Sequence, residues 1–226
     1  MVKLNVYYTL LVSVIVQITT GIIEFITLFV KVPLEFFIIK QLLILELGVQ
    51  FIEGLFYLYW LYYFNQITNV TPKRYLDWMI TTPTMLLTLI SYLIFLGYRE
   101  NNTSNNLDLV ELISTNFNNI VYVFLLNWLM LLFGYLGEVN LIPVYLGVSL
   151  GFIPFLLYYY IIYQNYAVLS NDGFKIFLYF FFFWSLYGIA AILPYHIKNM
   201  CYNILDLFAK NFFGIFLSYI ILTNNY

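Results

Sequence analysis

The chain has 226 residues, of which 63% are hydrophobic, 22% are aromatic and only 9% are charged. A soluble domain carries about 25% charged residues, so a charged fraction this low excludes a water-facing surface. The net charge of -2 gives no reason to expect nucleic acid as a partner. The single cysteine, Cys201, excludes an internal disulfide.

Seven apolar stretches are long enough to cross a bilayer, which takes about 20 helical residues. The first is too long for the core of a cleaved leader and is interpreted as a mature span. Runs such as YFFFFW do not alternate as barrel strands do. The sequence therefore predicts an all-α membrane protein, one seven-transmembrane-helix bundle over residues 1–226. The predicted spans are about Tyr7–Phe29, Phe37–Phe64, Leu76–Gly97, Ile120–Leu136, Ile142–Tyr163, Ile176–Leu193 and Tyr202–Ile221.

Charged residues inside spans are costly, so each of them suggests a function. Lys210 lies in the middle of the last span, and Asp206, four residues earlier, shares its helix face. An intrahelical ion pair is one interpretation, and a lysine that forms a Schiff base with an aldehyde is the other. Asp77 and Asp206 are then the candidates for the counter-charge. The charged residues within spans are Glu24, Lys40, Glu46, Glu53, Arg74, Asp77, Asp206 and Lys210.

Three separated motifs resemble those of the microbial (type I) rhodopsins. Arg-x-x-Asp-Trp-x-x-Thr-Thr-Pro begins at Arg74, WSLYG at Trp184–Gly188 resembles the Trp-x-x-Tyr-Pro segment of that family, and Asp-x-x-x-Lys ends at Lys210. The motifs fall in the family's order over the whole chain. The resemblance implies the microbial rhodopsin fold, no enzymatic activity, and retinal bound covalently as a protonated Schiff base.

The resemblance also implies roles for individual residues. Lys210 would hold retinal, Asp77 would be the main counterion and first proton acceptor, and Asp206 would be the second counterion. Lipid contact or core packing is the alternative for the aromatic side chains. The remaining implied residues are Arg74 as organiser of charges on the extracellular side, Thr81 as hydrogen-bond partner of the Asp77 carboxylate, Trp78 and Trp184 on the two faces of the polyene, and Tyr187, Asn127 and Met130 in the pocket.

Three positions depart from the pattern of the family. Gly188 stands where proline is usual and Leu146 where tryptophan is usual, so we expect a softer kink and a thinner pocket wall. Eleven residues after Asp77, where the pumps of the family carry a carboxylate as internal proton donor, the chain has Thr88. Threonine cannot store a proton at neutral pH, so an efficient pump would lack its reprotonating acid.

The second span carries Glu46 and Glu53, seven residues apart on one helix face. Acids stacked on this helix resemble the cation-conducting channelrhodopsins and the short rhodopsins of large algal viruses, although polar packing inside the bundle is the alternative. A seam of acids, amides and hydroxyls favours cations over anions. The other residues predicted for this seam, between the first, second, third and seventh spans, are Ser13, Gln17, Asn203 and Tyr57.

The sequence therefore predicts a light-gated cation channel. The main alternative is a light-driven outward proton pump in which Glu46 or Glu53 replaces the missing donor, followed by a photosensory rhodopsin and by a transporter with a free Lys210 amine. The expected partners are the lipid bilayer and transported cations or protons, with no metal site, and the aromatic exterior leaves homo-oligomer formation open. Loop charges do not decide the orientation, while the resemblance implies an extracellular N-terminus. A Glu53→Gln change is expected to lower conductance more than it shifts colour.

Overall fold

The computed structural model describes residues 2–101 and 107–224, and this part of the chain is helical without strands. Seven of its helices are long and apolar enough to cross a membrane, which confirms the predicted bundle. The helices are α1 (Val2–Thr27), α2 (Phe37–Tyr62), α3 (Thr71–Glu100), the short α4 (Leu109–Thr115), α5 (Phe117–Glu138), α6 (Val144–Asn165), α7 (Asn171–Ala191) and α8 (Tyr195–Thr223), the last of which contains a π-helical turn at Leu207–Asn211.

The spans α3 and α8 begin earlier than hydropathy predicts, at Thr71 and Tyr195. Their first turns carry Arg74 and Lys198, which lower the local hydropathy, yet both side chains are buried against polar partners. Pro72 stands in the first turn of α3, where the missing N–H of proline is not needed. Helix starts that are rich in buried charge are therefore invisible to a hydropathy window.

The Asn-rich stretch at residues 98–109 predicts a surface loop. In the structure α3 extends into this stretch as far as Glu100, and the short helix α4 follows it. Asp108 caps this helix by accepting from the Val110 N–H at 2.9 Å, and it also accepts from Gln41 Nε2 of α2 at 2.9 Å. These hydrogen bonds hold the pKa of Asp108 below its usual value, and the bond from Gln41 has the largest effect. The part of the predicted loop at residues 102–106 lies outside the described residues.

The helix α3 occupies the centre of the bundle. Within its most hydrophobic window 78% of the residues are buried, against 28% in α5 and 22% in α7, so α3 is surrounded by protein while α5 and α7 face outward. The corresponding window of α8 is 61% buried. The motifs of the third and last predicted spans therefore meet in the protein interior and not at the lipid surface.

The helices α5 and α6 pack closely through glycines. A Cβ on Gly147 would lie 2.7 Å from the carbonyl oxygen of Phe133 and 3.2 Å from the Cα of Gly137. Backbone atoms cannot rotate away as a side chain can, so this approach depends on glycine. Small residues at a helix contact allow such close packing within membranes.

We predict that Gly147→Ala destabilises the protein by about 1–3 kcal/mol, because the added methyl group overpacks the α5–α6 contact. The midpoint of thermal unfolding in detergent, at a fixed heating rate, measures the loss. Gly48→Ala is the matched control, since a Cβ there meets no atom within 4 Å. Equal midpoints for the two variants would show that the α5–α6 contact tolerates a side chain.

Candidate functional site

The buried side chain of Lys210 faces three buried carboxylates. Lys210 Nζ lies 2.8 Å from Asp77 Oδ2, 3.2 Å from Glu53 Oε1 and 3.8 Å from Asp206 Oδ1, and none of the four side chains is more than 4% exposed. The acids come from α3, α2 and α8. The sequence predicted Asp77 and Asp206 at this place, whereas it assigned Glu53 to the ion pathway and not to the lysine.

The π-helical turn at Leu207–Asn211 positions the lysine on α8. Asn211 Nδ2 donates to the main-chain oxygen of Asp206 at 3.3 Å, five residues earlier. A π-helical turn widens the helix locally and is frequent at functional sites. Asp206 and Lys210 therefore share a face through a widened turn and not through the regular helical spacing that the sequence suggested.

Arg74 fixes the second carboxylate of the cluster, Asp206. Its Nη1 donates to Asp206 Oδ2 at 3.3 Å and to the Tyr57 hydroxyl at 3.1 Å. Its Nε donates to Asn199 Oδ1 at 3.1 Å, and its Nη2 donates to Asn203 Oδ1. The guanidinium is thus buried and hydrogen-bonded through all three of its nitrogens, and among the two counterion candidates its hydrogen bond is to Asp206.

Two tyrosine hydroxyls complete the environment of Asp206. The Tyr187 hydroxyl donates to Asp206 Oδ1 at 2.6 Å, and the Tyr57 hydroxyl donates to Asp206 Oδ2. Together with Arg74 they satisfy both carboxylate oxygens. Asp77 differs, because its Oδ1 has no hydrogen-bond partner within the described ranges. The two counterion candidates therefore have unequal roles: Asp206 is held in place, and Asp77 keeps an open acceptor.

The predicted bond between Thr81 and the Asp77 carboxylate is not formed. The Thr81 hydroxyl instead donates to the main-chain oxygen of Asp77 at 3.0 Å, a common arrangement for threonine within helices. Asn127 Nδ2 donates to the Thr82 hydroxyl at 2.7 Å and so ties α5 to α3. Asn127 therefore lies behind Thr82, a residue of the cavity wall, and supports that wall from outside.

An apolar cavity ends at the Lys210 side chain. Of the residues predicted for a chromophore pocket, Trp78, Trp184, Tyr187 and Met130 line it. Its wall is almost wholly aromatic, aliphatic or glycine, which suits a long apolar group attached to an amine. The other lining residues are Tyr75, Thr82, Met85, Leu131, Gly134, Gly147, Val148, Gly151, Phe152, Phe155, Gly188, Ala191, Tyr202 and Ala209.

The two predicted departures in the pocket wall have different outcomes. Leu146 is 47% exposed and does not line the cavity, so it cannot thin the wall as expected; Gly147 and Val148 line it instead. At Gly188 a Cβ would lie 2.6 Å from the Phe152 ring. Phe152 fills the space beside the glycine, so the wall is closed from α6 and not by a residue of α7.

The residues predicted for the ion pathway are all buried on the facing sides of α1, α2 and α8. The Ser13 hydroxyl donates to the main-chain oxygen of Asn203 at 3.0 Å, and the Asn203 amide donates to the Thr9 hydroxyl at 3.0 Å. These contacts join α1 to α8 beside the charge cluster. The predicted set is Ser13, Gln17, Glu46, Glu53, Tyr57 and Asn203, each at most 4% exposed.

On the side of the charge cluster away from Arg74, polar residues of α1 and α2 continue the seam. Gln17 Nε2 donates to Gln50 Oε1 at 3.3 Å. Gln50 was not predicted, although it follows Glu46 by four residues and so shares its helix face. Glu46 is fully buried, lies beside the Thr88 hydroxyl, and has no hydrogen bond to its carboxylate oxygens in the part of the chain that the structure describes.

Residues 5–224 match the family model described as bacteriorhodopsin-like protein. The fold is similar to that of the viral rhodopsin OLPVRII, with a TM-score of 0.81 and 28% identity over 98% of this chain and 99% of that one. It is also similar to that of Exiguobacterium sibiricum rhodopsin, with a TM-score of 0.75 and 16% identity over 100% of this chain and 98% of that one. A third similar structure is that of xanthorhodopsin, a light-driven ion pump with dual chromophore, with a TM-score of 0.73 and 18% identity over 99% of this chain and 94% of that one. No curated protein matches the sequence.

We predict that Tyr57→Phe destabilises the protein by about 1–3 kcal/mol, because it leaves buried groups of Arg74 and Asp206 without one of their partners. Thermal unfolding in detergent measures the change. Tyr62→Phe on the same helix is the control, since Tyr62 is 79% exposed. A Tyr57→Phe variant as stable as Tyr62→Phe would contradict a structural role for the hydroxyl network.

Proposed function

The chain belongs to the bacteriorhodopsin-like family, whose members bind retinal, and from this premise we propose that it is a light-gated cation channel with retinal held by Lys210. Among the described lysines, Lys210 is the one that lines the apolar cavity. The aromatic wall and the three facing acids fit a cationic Schiff-base linkage at the end of an apolar group. Bound retinal would supply light absorption and a change of shape next to Nζ.

In this proposal the acids around Nζ have different roles. Asp77 Oδ2 is the nearest carboxylate oxygen, at 2.8 Å, so Asp77 is the proposed acceptor of the proton that leaves Nζ. Asp206 keeps its position, because Arg74 and two tyrosine hydroxyls hold it. Proton transfer to Asp77 would therefore remove positive charge from Nζ without dismantling the Asp206 network.

The contact between Glu53 and Lys210 carries the channel proposal. Glu53 belongs to the predicted seam, and its described polar contact is the 3.2 Å approach to Nζ; neither of its oxygens has a hydrogen bond in residues 2–101 and 107–224. When Nζ loses its charge, the attraction that holds Glu53 is lost. A local change of charge is thereby coupled to a residue of the pathway, the kind of event that shifts a bistable bundle.

The lining of the seam favours cations. It is built from the carboxylates of Glu46 and Glu53 and from amide and hydroxyl groups, which suit cations better than anions. The buried cation at one end of the seam is Arg74, and its charge is compensated by Asp206 and by neutral polar groups. The seam runs beside the apolar cavity and not through it, so hydration of the pathway would leave the cavity dry.

A light-driven outward proton pump is the second candidate, and one observation favours it. Glu46 lies beside Thr88, the position where pumps of the family carry their donor carboxylate. An acid contributed by α2 would then replace the one that α3 lacks. Pump and channel differ in whether the current follows the ion gradient.

We predict that voltage-clamp recording under light gives currents that reverse with the cation gradient. Lys210→Ala should abolish both the visible absorption band and the current, because it removes the attachment point. Lys175→Ala is the control, since this lysine lies on the surface and pairs with Asp172. An outward current that persists against the proton gradient would reject the channel and support the pump.

The position of Glu53 also changes what its substitution should do. The sequence predicted that Glu53→Gln lowers conductance more than it shifts colour. Because the carboxylate lies 3.2 Å from Nζ, we now predict both a several-fold lower conductance and absorption at longer wavelength, since a negative charge near the linkage stabilises its ground state. Visible spectra and photocurrents of the same preparation measure the two effects. Glu35→Gln, at an exposed acid, should change neither, and a Glu53→Gln variant with wild-type colour and current would refute both roles.

A further inference from the structure

Glu24 is a buried acid that the proposed pathway does not yet use. It lies three residues before the end of α1, its side chain is fully buried, and neither carboxylate oxygen has a hydrogen bond within the described residues. No described lysine or arginine lies within ion-pair distance of it.

The helix α8 leaves room for this carboxylate. A Cβ on Gly214 would overlap the Oε1 atom of Glu24, so glycine is the residue that lets Glu24 point between α1 and α8. An inward-pointing acid with a dedicated space is a poor choice for packing, because a buried carboxylate without a partner is expensive within a membrane. The space and the orientation together suggest that the carboxylate is used.

Further unpartnered polar groups share the faces of these helices. Ser218 follows Gly214 by four residues on α8, and Ser91 follows Thr88 by three residues on α3; both hydroxyls are buried without a hydrogen bond in the described ranges. Lys40, also at this end of the bundle, donates to the main-chain oxygen of Val30 at 2.9 Å and not to an acid. Among the described residues, this end of the seam therefore offers oxygen atoms that form no ion pair with a lysine or arginine.

We propose that Glu24 binds the permeating cation at the end of the seam remote from Arg74, with Gly214 providing the space for its carboxylate. Carboxylate and hydroxyl oxygens are ligands for hard cations, and rings of acids select cations in channels. This inference rests on the proposed channel function. It adds a second acidic site to the one at Lys210, about six helical turns along α1 from the start of the helix.

The test uses the full chain with retinal under voltage clamp. Glu24→Gln keeps the shape of the side chain and removes the carboxylate that can ionise and bind a cation. Relative to the amount of pigment measured by visible absorption, we expect a several-fold lower photocurrent and a changed ratio of sodium to proton permeability. The absorption band should stay in place, because Glu24 is not among the acids at Lys210. Glu35→Gln controls for the loss of an acid.

A second variant tests the geometry. Gly214→Ala should also lower the current, because its methyl group displaces the Glu24 carboxylate, whereas Gly48→Ala has open space and should behave as wild type. If Gly214→Ala yields little pigment, the double variant Glu24→Ala/Gly214→Ala removes the overlap and should restore it. Failure of the double variant to restore pigment would contradict the pairing of these two positions.

The outcomes separate the two proposals. A wild-type current that does not reverse with the cation gradient overturns the channel function and this inference with it. A reversing wild-type current together with an unchanged current and permeability ratio in Glu24→Gln overturns the inference alone. A change in current without a change in the permeability ratio would also overturn it, because a purely structural role affects the amount of current and not its selectivity.

Discussion

The rest of the structure depends on the attraction between one buried lysine and the acids that face it. Lys210 is surrounded by Asp77, Glu53 and Asp206, contributed by three different helices. In a medium of low dielectric such charges are tolerable only together, because removing one partner leaves an uncompensated charge. The cluster therefore ties α2, α3 and α8 into one arrangement that depends on the charge at Nζ. A change of that charge is felt by all three helices at once, which is the physical requirement for a switch.

The acids differ in how firmly the protein holds them, and this difference gives the switch a direction. Asp206 receives hydrogen bonds from Tyr57, Tyr187 and Arg74, so its position is set without Lys210. Glu53 has no hydrogen bond of its own within the described residues and is held through the lysine. In the proposed mechanism, the carboxylate that moves when this attraction weakens is the one on α2. The movement therefore begins in the seam and not in the wall of the apolar cavity.

Much of this could be predicted from the sequence, and what could not be predicted has a common cause. The spans follow from hydropathy, and the resemblance of the motifs around Asp77 and Lys210 to those of the microbial rhodopsins implied that these two side chains lie together. The contact of Glu53 with Lys210 depends on the relative register of α2 and α8, which no pattern within one helix contains. The rotamer of Thr81 and the outward position of Leu146 depend on side-chain and helix rotation in the same way. The start of α3 was missed because Arg74 is polar by composition but buried by its partners.

The polar groups at the two ends of the seam differ in whether they are hydrogen-bonded. On the side of Arg74, the charged groups of Arg74 and Asp206 are bonded to each other and to tyrosine or asparagine side chains, so an ion that passes in the proposed channel must displace formed hydrogen bonds. On the side of Glu24 and Glu46 the oxygens are buried without such bonds, so entry of water or a cation gains interactions and breaks few. Hydration should therefore start at the acidic end and stop at Arg74 until the cluster changes its charge. In the proposed channel, the barrier to conduction would lie beside Lys210, and light would need to move only the contacts nearest to that residue.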